Sequence, residues 1–247
     1  MSTAAASLPR FYIPHALTPH ADSPFVLPAG PTRHVQVRRL QPGQDITLFD
    51  GLGGEWQAHI TRMGRSEVWA RLDTHHAIER EAERTVHLAV GMMASDRMDW
   101  LVEKATELGA VSLTPLLTER SSLRLSGERA DKKRAHWQAV AASACAQCGR
   151  NRLLQIQAVT PLADWLQQQT EAERWLLSLD AQATPLRHQM TAQSLTTVHL
   201  LSGPEGGLAP EEEQAAHAAG LSPVSLGARV LRAETAPLAA LALLSCG

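Results

Sequence analysis

The hydrophobic period of this chain changes near residue 80, and that change restricts the fold more than any single motif does. Within residues 10–73, Val35 and Val37, Ile46 and Leu48, Trp56, Ala58 and Ile60, and Val68, Ala70 and Leu72 each recur at period two. Turn-forming pairs separate these runs: Pro42-Gly43, Asp50-Gly51, Gly53-Gly54 and Met63-Gly64. No helical pattern is visible there, so the segment predicts a small antiparallel barrel or sheet. Beyond the charged stretch HHAIEREAER (75–84), apolar runs alternate with amphipathic helices. HLAVGMM (87–93) reads as a buried strand. SDRMDWLVEKATELG (95–109) then places Met98, Leu101, Val102, Ala105 and Leu108 on one helical face, with Ser95 as N-cap and Gly109 as stop. Strands at 111–117, 175–179, 198–201 and 223–227 follow, with helices near 128–148, 210–219 and from 236. Strands alternating with helices predict an α/β domain on a largely parallel sheet. The fold class is therefore an α+β two-domain chain, divided into residues 1–76 and 77–247.

Composition narrows the functional classes. Apolar residues make up 44% of the 247, enough for a real core, and the net charge of −2 excludes a uniformly basic nucleic-acid binder. No apolar run approaches the roughly 18 residues of a membrane span, and the N-terminus carries no secretory signal pattern. Three cysteines suggest no disulfide framework, so the expected location is cytoplasmic. Cys145 and Cys148 form a CxxC inside a predicted helix, without a second pair or nearby histidine, and read as packed thiols. No set of side chains at ligand spacing predicts a metal. DGLGG (50–54) lacks the helix that a dinucleotide-binding loop requires and reads as a hairpin turn.

Two passages stand out. LSGPEGGLAPEE (201–212) joins a buried strand to a helix through Gly203, Pro204, Glu205, Gly206 and Gly207. A glycine-rich loop at the C-terminal end of a parallel strand is where α/β sheets bind ligands, here through main-chain groups. LGARVLRAETA (226–236) sets Arg229, Arg232 and Glu234 just before an apolar final helix, either as a capping salt bridge or as an active-site edge. Between them, residues 119–152 hold eight Arg or Lys against three acids, a solvated helix face or a nucleic-acid contact; Arg120, Arg124, Arg150 and Arg152 lie off the helix.

The motifs RFYIP (10–14), DRMDWLVEKATELGA (96–110), TPLLTERS (114–121), QCGRNR (147–152), SGPEGG (202–207) and LGARVLRAETA, in that order, resemble the RsmE family. These are bacterial 16S ribosomal RNA uracil-N3 methyltransferases of the SPOUT class, acting at the uridine numbered 1498 in the family's name. The resemblance implies a PUA-like N-terminal barrel that binds RNA, an α/β SPOUT domain with a deep C-terminal trefoil knot, and a homodimer. It also implies S-adenosylmethionine held at Leu179, Gly203, Pro204, Glu205, Gly206, Gly207, Leu226, Gly227 and Leu231. Arg10, Arg33, Arg38, Arg120, Arg124, Arg150 and Arg152 become the candidate contacts to 16S rRNA in the small ribosomal subunit. Arg232 and Glu234 become the catalytic candidates: Arg232 to stabilise charge on the uracil, Glu234 to orient Arg232 or accept the proton. Ala146 stands where the family often has Glu. The alternatives are a SPOUT enzyme acting on a ribose 2′-hydroxyl or a guanine, and a non-catalytic ribosome-assembly factor.

Overall fold

The computed structural model describes residues 8–18, 23–190 and 197–245. The chain divides into two units, residues 1–81 with 145–153, and residues 82–144 with 154–247.

The first unit is built on β1 (Arg10–Tyr12), β2 (Phe25–Val26), β3 (Asp45–Phe49), β4 (Glu55–Met63) and β5 (Val68–His76), in the order β1-β3-β4-β5-β2. β3, β4 and β5 form an antiparallel meander, whereas β1 runs parallel to β3, so the sheet is mixed. The alternating residues Ile46, Leu48, Ala58, Ile60, Val68 and Ala70 point inward and join Phe11, Ile13 and Leu27 in one core. One expectation fails here. Residues Ala29–Val37 are a helix, α1, not a strand. Period two would put Val35 and Val37 on one face, but Val35 is fully buried and Val37 is 71% exposed. Thr32, three residues before Val35, is buried with it, which is helical spacing. Pro31 sits in the first turn, where its missing N–H is no loss.

Residues 145–153 complete this unit. Arg10 donates to the Asn151 side chain at 2.7 Å and to the Arg150 carbonyl at 3.1 Å. Fully buried Asn151 donates to the Ile78 carbonyl, and the Gly53 N–H donates to the Asn151 carbonyl. Glu55 takes Arg10 and Arg80 together. Burial alone raises its pKa, but the hydrogen bonds from Arg80 and Arg10 outweigh that and bring it to about 2.

The second unit comprises β6 (Thr85–Gly91), α2 (Ser95–Glu107), β7 (Ser112–Leu117), α3 (Gly127–Cys148), β8 (Gln155–Ile156), β9 (Thr160–Pro161), α4 (Leu162–Leu166), β10 (Glu173–Leu177), β11 (Thr184–Pro185), α5 (Leu186–Gln189), β12 (Thr197–Ser202), α6 (Pro210–Ala218), β13 (Ser222–Ser225) and α7 (Thr235–Ser245). The last turn of α3 groups with the first unit. All pairings are parallel, in the order β11-β13-β10-β12-β6-β7-β8, with β9 also on β7. β12 inserts between β10 and β6, while β13 lies on the far side of β10. The strand order therefore reverses direction near β10 and β12, the place where open parallel sheets leave a crevice at their C-terminal ends.

Near the opposite ends of the strands, one residue level is polar across five neighbouring strands: Arg174, His199, His87, Ser112 and Gln155 are successive register partners. The two imidazoles stack at 4.6 Å between centroids, and the Arg174 guanidinium lies 4.4 Å from the Trp165 ring centre. Burial, with the charges of His87 and Arg174 in addition, lowers the His199 pKa to about 4. A histidine held neutral in the fold but titrating normally when unfolded makes stability fall as pH drops from about 6.5 toward 4. The melting temperature of His199→Gln should therefore decline less over that interval than the wild type's. Parallel declines would exclude His199 as the titrating group.

Candidate active site

β12 ends at Ser202 and the chain turns at once into the glycine loop. Gly203 is required by space. A Cβ there would lie 2.8 Å from the Leu208 nitrogen and 2.9 Å from the Gly207 carbonyl carbon, both main-chain atoms that side-chain motion cannot clear. Gly207 is required by conformation, with φ +69°, and its N–H closes a turn on the Pro204 carbonyl at 2.9 Å. Gly206 faces the Arg120 side chain. Below the loop, Gly91 at the end of β6 leaves the space that Pro204 occupies.

Side chains remote in sequence hold the loop. Arg120 Nη1 donates to the Gly206 carbonyl at 2.9 Å and the Leu208 carbonyl at 3.2 Å. Glu212, in the first turn of α6, accepts the Ala209 N–H at 2.9 Å and the Glu119 N–H at 2.8 Å. Glu205 accepts the Ala94 N–H at 3.0 Å and the Ser122 hydroxyl at 2.8 Å. Partial burial raises the Glu205 pKa, but these bonds and the charge of Arg97 give a net lowering. Arg97 Nη1 stands 3.7 Å from Glu205 and 3.8 Å from Glu234.

The loop is one wall of a cleft. Leu177 ends β10 and Ser178 and Leu179 follow it, Val224 lies in β13 and Leu226 and Gly227 follow it, and Arg229, Val230, Leu231, Ala233 and Ala236 close the remaining side. Leu179 and Val230 are 71% and 78% exposed, an apolar lip. Of the residues expected at the cofactor, Leu179, Gly203, Pro204, Glu205, Gly207, Leu226, Gly227 and Leu231 line this cleft, and Gly206 is set back against Arg120. Arg232 is exposed next to it, and its carbonyl accepts the Thr235 and Ala236 N–H groups that start α7. The cation beside Glu234 is Arg97; Glu234 Oε2 is buried with no hydrogen-bond donor among the described residues.

The arginines expected at RNA are distributed differently. Arg33 and Arg38 are exposed, on and just after α1. Exposed Arg152 pairs with Glu79 at 3.1 Å. Arg150 is 4% exposed and bound to Glu81, Arg10 is tied to Glu55 and Asn151, and Arg124 donates to the Glu119 carbonyl. Arg120 grips the glycine loop. Five of the seven guanidiniums are thus engaged within the fold, and Arg33 and Arg38 show no such partner among the described residues. Cys145 and Cys148 lie in the last turn of α3 as thiols, and the Cys145 thiol donates to the Arg152 carbonyl at 3.4 Å.

Arg97, Ser122 and Glu212 were missed. A signal existed for Arg97: a cation in the first turn of a helix opposes the helix dipole, so some other contact must favour it.

Residues 80–245 match the model of the RNA methyltransferase domain family, and residues 32–73 match that of the RNA methyltransferase PUA domain. A protein of Synechocystis named ribosomal RNA small subunit methyltransferase E is 32% identical over 210 residues, 84% of this chain and 67% of its own length. The Mycobacterium bovis protein of the same name is 32% identical over 208 residues, covering 83% and 79%. Among solved structures, ribosomal RNA small subunit methyltransferase E from Neisseria gonorrhoeae bound to S-adenosyl methionine superposes with a TM-score of 0.88 at 35% identity, covering 96% of both chains. A Legionella pneumophila methyltransferase in complex with the same cofactor gives 0.89 at 32% identity, again over 96% of both. With the domain model matched over most of its length, this chain belongs to the ribosomal RNA small subunit methyltransferase E family.

Proposed function

We propose that the protein transfers the methyl group of S-adenosylmethionine to N3 of one uridine in 16S rRNA of the small ribosomal subunit. The observation that carries this reading is the cleft at the C-terminal ends of β10, β12 and β13, walled by the glycine loop. Its residues fit the cofactor. Gly203 keeps the wall free of side chain, Leu179, Leu226 and Leu231 offer apolar surface for a flat base, and the buried Glu234 oxygen needs a donor that the described residues do not supply.

When bound, S-adenosylmethionine supplies an electrophilic methyl on a sulfonium. The chain must then present uracil N3 in line with the carbon–sulfur bond and stabilise the charge left as the N3 proton departs. Arg232, exposed beside the cleft, is the donor to a uracil oxygen. Glu234 lies 3.8 Å from Arg97, and no ion pair joins it to Arg232 among the described residues. The rigid loop contributes by holding the reactants in attack geometry.

RNA contact by the first unit rests on Arg33, Arg38 and Arg152, whose side chains are exposed. In this reading residues 1–76 are the RNA-binding domain, whose sheet closes as a PUA-like barrel. Residues 77–247 are the SPOUT domain, knotted near its C-terminus, and the enzyme is a cytoplasmic homodimer. The sequence of α7, TAPLAALALLS, supports pairing: it is apolar on every side, and Leu243 remains 48% exposed.

The test is mass spectrometry of nucleosides from 16S rRNA of cells with and without the protein, with primer extension to locate the product. The expected result is 3-methyluridine at a single site, produced only with the protein present. A ribose-methylated nucleoside or a methylguanosine in its place would assign the chain to another RNA atom. Cofactor binding without any product would make it a binding factor.

A further inference from the structure

We propose that Arg97 is a positioning residue that aims the Glu234 carboxylate at an N–H donor of the bound reactants. The proposal rests on the methyltransferase reading above and assigns work to a residue that this reading does not require. Arg97 lies in the first turn of α2, where the unpaired N–H groups of the helix disfavour a cation. It is held there by two carboxylates from separate segments, Glu205 of the glycine loop at 3.7 Å and Glu234 before α7 at 3.8 Å.

The two carboxylates are not equivalent. Glu205 already accepts the Ala94 N–H and the Ser122 hydroxyl, so its place does not depend on Arg97. Glu234 has a buried Oε2 with no donor among the described residues, and Arg97 at 3.8 Å is too distant for a hydrogen bond. Glu234 does not itself line the cleft, but Ala233 and Ala236 on either side of it do, and an acceptor left open beside the cleft is placed to take a donor from a ligand. Arg97 supplies the charge that draws Glu234 to this place, anchored in turn through Glu205. The donor is either the cofactor's ammonium group or a uracil N–H. Both present N–H to a carboxylate, and measurement separates them.

Four variants decide the matter: Arg97→Met, Arg97→Lys, Glu234→Gln, and the double variant Arg97→Met/Glu234→Gln. S-adenosylmethionine affinity is read by calorimetry, the single-turnover methylation rate on small subunits by radiolabel, and melting temperature without ligand. Arg97→Met should weaken the same parameter as Glu234→Gln, by about tenfold or more. The double variant should be no worse than Glu234→Gln alone, and Arg97→Lys should recover part of the loss. Loss of affinity identifies the cofactor's ammonium group as the donor; loss of rate at unchanged affinity identifies the uracil. Arg97→Met should also lower the melting temperature, with recovery when Glu234 is neutralised as well. Effects that multiply in the double variant, or a silent Arg97→Met, would overturn the proposal. Wild-type protein that forms no methyluridine would instead defeat the functional reading, and the melting and calorimetric comparisons would still decide the role of Arg97.

Discussion

Gly203→Ala should abolish most cofactor binding while the protein remains folded. The added methyl would stand 2.8 Å from the Leu208 nitrogen and 2.9 Å from the Gly207 carbonyl carbon, so the main chain of the loop itself must move. Overpacking of this kind shifts backbone at a cost of about 1–3 kcal/mol. In a loop that meets its ligand through main-chain groups, that displacement also removes the matching geometry. Calorimetry should show S-adenosylmethionine affinity reduced by at least about tenfold, which corresponds to roughly 1.4 kcal/mol. Gly206→Ala is the control. Its methyl would meet the Arg120 side chain at 3.3 Å, and a flexible side chain can yield. Affinity should then stay within about threefold, well under 1 kcal/mol. Equal losses at both positions would show that the ligand does not depend on the loop's close packing at Gly203.

Arg232→Ala should separate binding from chemistry. The Arg232 side chain is exposed and does not line the cofactor cleft, so affinity for S-adenosylmethionine should change little. The methylation rate should fall by about two orders of magnitude, the usual loss when a preorganised donor to developing charge is removed. The KM for small subunits should change much less than kcat. A parallel fall in cofactor affinity and rate would make Arg232 a cofactor ligand, and an unchanged rate would remove it from the active site.

The legible parts of this structure were those written as periodicity. The inward faces of β3, β4 and β5 follow the alternating residues, and the buried face of α2 carries Met98, Leu101, Val102 and Ala105, as its pattern implies. Helix α1 was not legible, because Val35 and Val37 mimic a strand and only the burial of Thr32 with Val35 shows the helical repeat. Cap details also shifted: Ser95 begins α2, and Ala94 takes the cap position. Glycine spacing marked the cleft wall, but it did not say which glycine serves space and which conformation. The arginines were harder still. Charge is visible in a sequence; its partner is not. Arg120 reads as a phosphate ligand until the Gly206 and Leu208 carbonyls are seen beneath it. Arg97 reads as a helix surface residue until two distant carboxylates meet it.

The return of residues 145–153 to the first unit has a consequence for the order of events during synthesis. Asn151 caps the Ile78 carbonyl and receives Arg10, so the N-terminal sheet lacks a buried polar partner until the chain has grown through α3. Domains usually fold as they emerge from the ribosome, the first one first. Here the first unit must wait, incomplete, while roughly the first half of the second is made. Arg10 and the Ile78 carbonyl then lack the Asn151 side chain as partner, and Asn151 sets the moment at which that interval ends.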